Sequence, residues 1–306
     1  MAATQIERGR LPADLVRWKD PGPSPHLHLS YDVLVPPDRT DSDLAKVIPL
    51  FGRRGSRNTW DFADVVEPAV ESPVVRMTPH DIELAPPDAD DEIAALTASK
   101  PIAQLRSLLG WLDTSRPITG RGVPRPGSVS ELAKAVDVEL DMRALKSRSM
   151  LEISALMTLW DAAKAAGLIE LTSTTAIPGP HAHEFAHSLP RGLASHRTAL
   201  SHIIRRHFFT EDPLRPSPAV DVVAGQIVLA AMTDTPRTRL PAVGPAGSGD
   251  LSEHIEALIL RGMLDQFIAD GWLVCDDKYI VPQPFRPAVL DAMKSLPYYK
   301  TGDANR

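Results

Sequence analysis

The sequence predicts a mainly α fold with small β-hairpins (α+β), in which tandem winged-helix-like modules follow a proline-rich, largely irregular N-terminal region. Helical periodicity stops at Gly167 and again at Gly271, and each glycine is followed at once by a strand-like run of β-branched or apolar residues. By contrast, the first third of the chain combines proline clusters with no sustained helical period. We therefore expect an irregular region at 1–98, a first module at 99–180, a histidine-rich loop at 181–197, a second helical, winged-helix-like module at 198–296 and a tail at 297–306.

The first module opens with a helix, a short strand and a second helix. Ser99 is a suitable N-cap for the first helix, in which apolar residues recur at helical spacing. Residues 116–119 predict a short strand, and Pro117 restricts that strand to a sheet edge because proline has no N–H to donate. Ser128 and Glu131 form an S-x-x-E capping box, which predicts the start of the second helix.

A second capping box, formed by Ser149 and Glu152, opens the strongest helical period in the chain. Gly167 ends that period where a left-handed C-cap residue is expected. The next residues, LIELTSTTAIP, change to β-branched alternation and predict a hairpin that turns near Ser173 and Thr174. A long helix followed by a glycine and a hairpin is typical of a winged helix.

The second module repeats this pattern near the C-terminus. Asp250 and Glu253 form a D-x-x-E capping box, and the helix that they open stops at Gly271. The strands WLVC and YIVP then flank residues 276–278 and predict a second hairpin. Further helices are expected over residues 198–209, 217–233 and 285–296.

Composition restricts the classes of protein to which the chain can belong. Cys275 is the single cysteine, so disulfides within one chain and cysteine-based zinc sites are excluded. No run of about 18 apolar residues is present to span a membrane. The N-terminal residues lack the apolar core of a secretory signal. We therefore expect a cytoplasmic protein that does not enter the membrane.

The histidine-rich stretch contains the sequence HEFAH, which has the H-E-x-x-H spacing of zinc hydrolases. On a helix, His183 and His187 would share one face and could bind zinc, while Glu184 could act as general base on a metal-bound water. The alternatives are adventitious or structural metal binding and exposed loop histidines without a ligand. The candidates for a third zinc ligand are His196, His202 and Glu211.

Two clusters of arginine are candidates for contacting phosphate groups or a protein partner. One cluster lies on the helix predicted after the histidine-rich stretch, where a solvated helix face is the alternative. The other lies beside Trp60 and Phe62 in the N-terminal region, where a tail docked through its aromatic residues is the alternative. The six arginines are Arg197, Arg205, Arg206, Arg53, Arg54 and Arg57.

A Trp-containing helix, an I-T-x-x-G element, a further helix and a long helix that ends in a Gly-stopped hairpin follow one another from Leu109 to Leu171. This segment resembles uncharacterised actinobacterial proteins with a winged-helix-like segment. The resemblance implies the fold of the segment and no activity. The matching residues are Trp111, Ile118, Thr119, Gly122, Trp160 and Gly167.

The sequence favours a non-enzymatic protein that is either a nucleic-acid-associated regulator or a protein-interaction scaffold. No P-loop, G-x-G-x-x-G or G-x-S-x-G motif is present, and we expect no cofactor. The partner is DNA or a protein. The net charge of −6 weakens the DNA interpretation, because DNA binding requires neutralisation of phosphates. The alternative is a zinc-dependent hydrolase that uses HEFAH.

Overall fold

The computed structural model describes residues 77–140, 149–208, 218–243 and 251–300, and Arg53, Arg54, Arg57 and Glu211 lie outside them. The prediction of a mainly helical chain with small antiparallel sheets is confirmed. The helices are α1 (Ala89–Ala98), α2 (Lys100–Leu112), α3 (Pro126–Ala135), α4 (Ser154–Ala165), α5 (Ala182–Ala186), α6 (Leu193–Phe208), α7 (Pro218–Ala230), α8 (Leu251–Ala269), α9 (Arg286–Ser295) and α10 (Pro297–Lys300). The strands are β1 (Arg116–Pro117), β2 (Ile169–Leu171), β3 (Thr175–Pro178), β4 (Val274–Cys275) and β5 (Tyr279–Ile280).

The first sheet is antiparallel and three-stranded, with the order β1-β3-β2. Arg116 of β1 pairs with Ala176 of β3, and Ile169 of β2 pairs with Pro178 of β3. β1 therefore lies at a sheet edge, as Pro117 predicts. Along the chain, the elements follow the order α2, β1, α3, α4, β2 and β3.

Glycines end both helices that lead into hairpins. Gly167 has φ 66° and Gly271 has φ 83°, in the left-handed region that favours glycine. After α4, the N–H of Leu168 donates to the carbonyl oxygen of Ala163 at 2.8 Å, the six-residue bond of a Schellman motif. Both helix stops were predicted, because the signal is local to each glycine.

The second hairpin consists of β4 and β5, which pair in antiparallel register. Thr238 forms an antiparallel bridge with Lys278, the residue just before β5. The backbone N–H of Tyr279 donates to the carbonyl oxygen of Arg237 at 3.0 Å. A short segment after α7 therefore lies beside β5, in the place that β1 occupies beside β3.

One hydrophobic core joins both hairpin units. α6 lies at its centre and packs against α1, α2, α4 and α9. Trp160 of α4 and Trp272 after α8 are both completely buried in this core. The ring of Phe208, at the end of α6, lies 5.5 Å from the ring of Phe267 of α8. Aromatic contacts thus connect the central helix to the second hairpin unit.

The prediction of an irregular region before Ser99 is wrong for α1. Asp88 caps this helix, because its carboxylate accepts hydrogen bonds from the backbone N–H groups of Asp90 and Asp91 at 2.9 and 3.2 Å. Ile93 and Leu96 are buried, so the helix belongs to the core. Likewise, α10 lies within the predicted tail.

The histidine-rich stretch is also more ordered than a loop. It contains α5, a 3-10 turn at Pro190–Gly192 and the first turn of α6. Phe185 and His196 within it are completely buried. The predicted loop is therefore part of the packed body, because its apolar residues reach the core.

Two helix starts differ from their predicted capping boxes. α3 begins at Pro126, two residues before Ser128, because proline is well suited to the first helical position. Ser149 caps only a 3-10 turn, where its hydroxyl accepts a hydrogen bond from the N–H of Leu151 at 3.2 Å. The regular helix α4 then begins at Ser154.

Ser99 has a different partner from the one predicted. Its hydroxyl donates to the carbonyl oxygen of Leu96 at 2.7 Å, so its side chain bonds to the end of α1 and makes no cap bond to α2. Its extended backbone separates the two helices. The predicted boundary at Ser99 is thus a junction between two packed helices.

Candidate functional site

The first four residues of the motif HEFAH lie in α5, which three residues separate from β3, and His187 is the C-cap residue of that helix. Phe185 anchors this short helix, because it is completely buried and its ring stacks on that of His196 with centroids 4.1 Å apart. Its neighbours His183 and His187 are exposed. The structure therefore exposes both predicted zinc ligands, one within α5 and one at its C-cap.

The two exposed histidines lie close together. Their ring centroids are 4.5 Å apart. Nδ1 of His187 lies 2.9 Å from the carbonyl oxygen of His183 and donates to it, which leaves Nε2 of His187 as the nitrogen that could bind a metal. Glu184 is half-buried, and its Oε2 has no hydrogen-bond partner in the described part of the chain. The spacing predicted this proximity, since residues four apart share a helix face.

Of the predicted third ligands, the two that the structure describes, His196 and His202, do not join these two histidines. His196 is completely buried, and its Nδ1 donates to the carbonyl oxygen of Gly192 at 2.8 Å. Burial lowers the pKa of His196; the hydrogen bond to Gly192 opposes this change, and the charge of Arg106 adds to it. His196 is thus a neutral core residue that packs on Phe185.

His202 lies farther along α6, near Asp161 and Lys164 of α4. Burial lowers the pKa of His202, and the nearby charge of Arg205 lowers it further. Among the described residues, no group of three histidine, cysteine, aspartate or glutamate side chains is arranged to hold a metal ion. The interpretation of HEFAH as a zinc site therefore has two candidate ligands and no third within the described ranges.

We expect elemental analysis of the purified protein to find far less than about one zinc per chain, because a stable zinc site needs three or four protein ligands. His187→Ala should leave the metal content unchanged, and casein should not be hydrolysed. A stoichiometric zinc that His187→Ala removes, together with an activity that Glu184→Gln abolishes, would contradict this expectation.

A groove of about 670 Å³ lies between α2, the end of β3 and α5. Small and apolar side chains form most of it, and polar groups lie among them. It is an open depression of the surface and does not enclose a ligand as a small-molecule pocket does. The lining residues are Ala103, Arg106, Ser107, Leu109, Gly110, Asp113, Pro178, Ala182, His183 and Ala186.

One hydrogen bond fixes the side chain of Arg106, which extends from α2 to α5. Its Nε donates to the carbonyl oxygen of Ala186 in α5 at 3.1 Å. Its two terminal nitrogens have no partner in the described part of the chain and remain available to an anionic group. Asp113, with φ 51°, lies seven residues farther along, a rise of about 10 Å on a helix. The groove thus presents a positive and a negative group two helical turns apart.

The predicted arginine cluster on α6 is smaller than expected. Arg197 forms a two-bond ion pair with Glu92 of α1: its Nε donates to Oε1, and its Nη2 donates to Oε2 at 2.5 Å. The side chain of Glu92 is 0% exposed, so Arg197 neutralises a buried charge. Arg205 is exposed and Arg206 is half-buried. Arg197 is therefore a structural residue, and two arginines of this cluster remain as candidates.

α4 presents little positive charge. It packs against α6, and Lys164 is its single cation. The Nζ of Lys164 lies 3.1 Å from a carboxylate oxygen of Asp161, one turn earlier on the same helix. The tip of the adjacent hairpin, TST, is uncharged and adds no positive charge. α4 and the hairpin tip by themselves therefore supply little of the positive charge that phosphate contacts require.

Sequence reasoning missed a second basic feature, the loop between β1 and α3. Arg121 and Arg125 are exposed on it. The indole Nε1 of Trp160 donates to the carbonyl oxygen of Gly122 at 3.0 Å, and Thr119 closes a turn with Val123. The loop is thus held in place by the core. In the sequence, two arginines next to prolines in RGVPRP could have indicated this basic loop.

No protein-family model, curated protein or solved structure matches the chain. The resemblance to actinobacterial proteins therefore stays a prediction. Within the described ranges, the structure has no helix of the length and apolarity needed to cross a membrane.

Proposed function

We propose that the chain is a non-enzymatic protein of tandem winged-helix-like modules that binds a segment of a partner protein. The order α2, β1, α3, α4, β2, β3, with β1 paired to β3, supports the first module. The order α7, a segment bridged to the hairpin, α8, β4, β5 supports the second. Fold alone does not specify a function, so the surfaces of these modules carry the argument.

The observation that carries the proposal is the character of α4. A winged helix that reads DNA places its third helix in the major groove, where basic and polar side chains contact phosphates and bases. In this chain, that helix packs on α6, and its single cation, Lys164, is paired with Asp161. The charge is thus largely neutralised within the helix, which favours a protein partner over duplex DNA.

The groove between α2 and α5 is suited to such a partner. Its small residues, such as Ala103, Gly110 and Ala182, would allow the backbone of an extended segment to approach closely. Arg106 would pair with an acidic side chain of that segment, and Asp113 with a basic one about two helical turns away. The proposed ligand is therefore a short extended peptide segment that carries both charges.

A fluorescence-anisotropy titration with random duplex DNA tests the choice between partners. We expect no binding even at low salt, where phosphate contacts are strongest. The exposed side chains of Arg121 and Arg125 are the observation that supports the nucleic-acid alternative. Binding that falls steeply with salt and is lost in the Arg121→Ala, Arg125→Ala double variant would replace the proposal with that alternative.

The protein branch of the same test uses a photo-reactive amino acid at Ser107, in the groove, in cells that express the full chain. Ser130, an exposed serine on α3 outside the groove, is the matched control position. We expect a discrete protein adduct from position 107 that is absent from position 130 and is lost in Arg106→Glu. Identical adducts from both positions would contradict a role for the groove.

A further inference from the structure

The side chain of His196 is a titratable group enclosed in the core. It is completely buried, and its Nδ1 donates to the carbonyl oxygen of Gly192 at 2.8 Å. Its Nε2 is also buried and has no hydrogen-bond partner in the described part of the chain. In the neutral imidazole this nitrogen is an acceptor without a partner. Protonation would add a positive charge and an N–H without an acceptor, so the closed core favours the neutral form.

The segment that covers His196 is short. It runs over residues 182–192, from α5 to the 3-10 turn at Pro190–Gly192, and we call it the α5 segment. The ring of Phe185 stacks on the ring of His196, and Gly192 accepts the hydrogen bond from Nδ1. A Cβ atom at Gly192 would lie 2.9 Å from the carbonyl oxygen of Glu184, so the turn packs directly on α5. Both parts of the α5 segment therefore rest on one imidazole.

Two side-chain hydrogen bonds between described residues also attach the α5 segment to its neighbours. Nε of Arg106 donates to the carbonyl oxygen of Ala186 at 3.1 Å, and Oγ1 of Thr97 donates to Oγ of Ser188 at 3.0 Å. Neither bond is fully buried, so water can replace both. A helix of five residues is not stable by itself. The α5 segment is therefore suited to open locally while the rest of the core stays folded.

The charges around His196 also oppose its protonation. Burial lowers its pKa most, the hydrogen bond to Gly192 opposes this change, and the positive charge of Arg106 on α2 lowers the pKa further. The carboxylate of Glu92 on α1 is paired with Arg197, and no charge on α4 or α9 acts on His196 among the described residues. The other charged or titratable groups on the elements around it are His183, Glu184 and His187 of α5 and Arg191 of the 3-10 turn. No described carboxylate is thus placed to stabilise the protonated form.

We propose that His196 is a pH-sensitive latch for the α5 segment: the neutral imidazole holds the segment closed, and its protonation at mildly acidic pH releases the segment. Once the segment is open, water solvates the imidazolium, so the open form binds the proton. Because the open form binds more protons than the closed form, the closed form loses stability as the pH falls below about 6.5, the ordinary pKa of histidine. The loss continues until the pH reaches the lowered pKa of the buried imidazole.

Release of the α5 segment would remove one wall of the groove, because Ala182, His183 and Ala186 line it. A peptide segment bound in the groove would then dissociate at acidic pH. This consequence rests on the proposed function, whereas the release itself does not. The experiment below follows the backbone of the α5 segment without any partner, so failure of the latch and failure of the proposed function are distinguishable.

Hydrogen–deuterium exchange of the full chain at about pH 7.5 and about pH 5.5 tests the latch, with each protection factor referred to the intrinsic exchange rate at its own pH. The amide of Leu189 reports on the α5 segment, since it donates to the carbonyl oxygen of Glu184 at 2.9 Å. We expect its protection factor to fall by about tenfold, the factor that one proton bound with a pKa of about 6.5 gives over this interval. It should also be less protected than the amide of Leu168, which donates to Ala163 in the core. Equal protection of the two amides would overturn the local release.

The variants His196→Phe and His196→Asn separate the latch from the other titratable groups. Phenylalanine keeps a ring against Phe185, asparagine keeps a donor for Gly192, and neither titrates. We expect the protection of Leu189 in both variants to differ by less than about twofold between the two pH values. A tenfold change that persists in both variants would assign the release to other groups and overturn the proposal.

His202→Asn is the matched control. His202 also lies on α6 and burial also lowers its pKa, but its neighbours are on α4, so the tenfold change at Leu189 should remain. The natural chain supplies a reading that needs no variant. At about pH 6, where an ordinary histidine is mostly protonated, the imidazole resonances of His196 should be those of the neutral ring. Resonances of a protonated ring in the folded chain at that pH would contradict the latch.

Discussion

Replacing Arg197 with alanine is expected to lower the free energy of unfolding by about 3 kcal/mol, because it leaves the buried carboxylate of Glu92 without its partner. The value lies at the lower end for buried pairs, since the side chain of Arg197 is 37% exposed and water screens part of the interaction. Urea denaturation followed by circular dichroism measures the change.

Arg205→Ala is the matched control for this variant. Arg205 lies on the same helix but is exposed, so its loss should change stability by less than about 0.5 kcal/mol. A double variant with Glu92→Leu and Arg197→Met should recover most of the lost stability, because no charge remains buried. Equal stability of Arg197→Ala and the natural chain would show that the carboxylate of Glu92 is not buried against Arg197.

Replacing Gly179 with alanine is expected to destabilise the chain by about 3 kcal/mol, at the upper end for overpacking. A Cβ atom at position 179 would lie 2.4 Å from the carbonyl oxygen of Gly167 and 3.1 Å from the backbone nitrogen of Ile169. These are backbone atoms at the end of α4 and the start of β2, so no side chain can move aside. Thermal denaturation should show a clearly lower midpoint.

Gly127→Ala should have the opposite effect and serves as the control. Gly127 lies in α3, and a Cβ atom there would meet nothing within 4 Å. Alanine has a higher helix propensity than glycine, so the substitution should stabilise the chain by about 0.5–1 kcal/mol. Destabilisation of both variants to the same degree would refute the close contact at Gly179.

Several elements could be predicted from the sequence because their signals are local. The stops at Gly167 and Gly271 require only a residue that tolerates positive φ. The hairpins follow from β-branched alternation, and the position of β1 at an edge follows from Pro117. Asp88, followed by acidic residues, was an equally local signal for α1, and the nearby prolines outweighed it.

The sequence by itself determined the two hairpins, the helices that lead into them and the shared face of His183 and His187, since these depend on residues within one or two helical turns. Only the tertiary structure decided that Arg197 binds Glu92, 105 residues away, and that His196 is a core residue and no ligand. It also decided that α4 packs against α6 and that Ile255 and Leu258 of α8 are exposed in the described part of the chain. These outcomes depend on contacts between segments far apart in the chain, and no local period or cap specifies which surfaces meet.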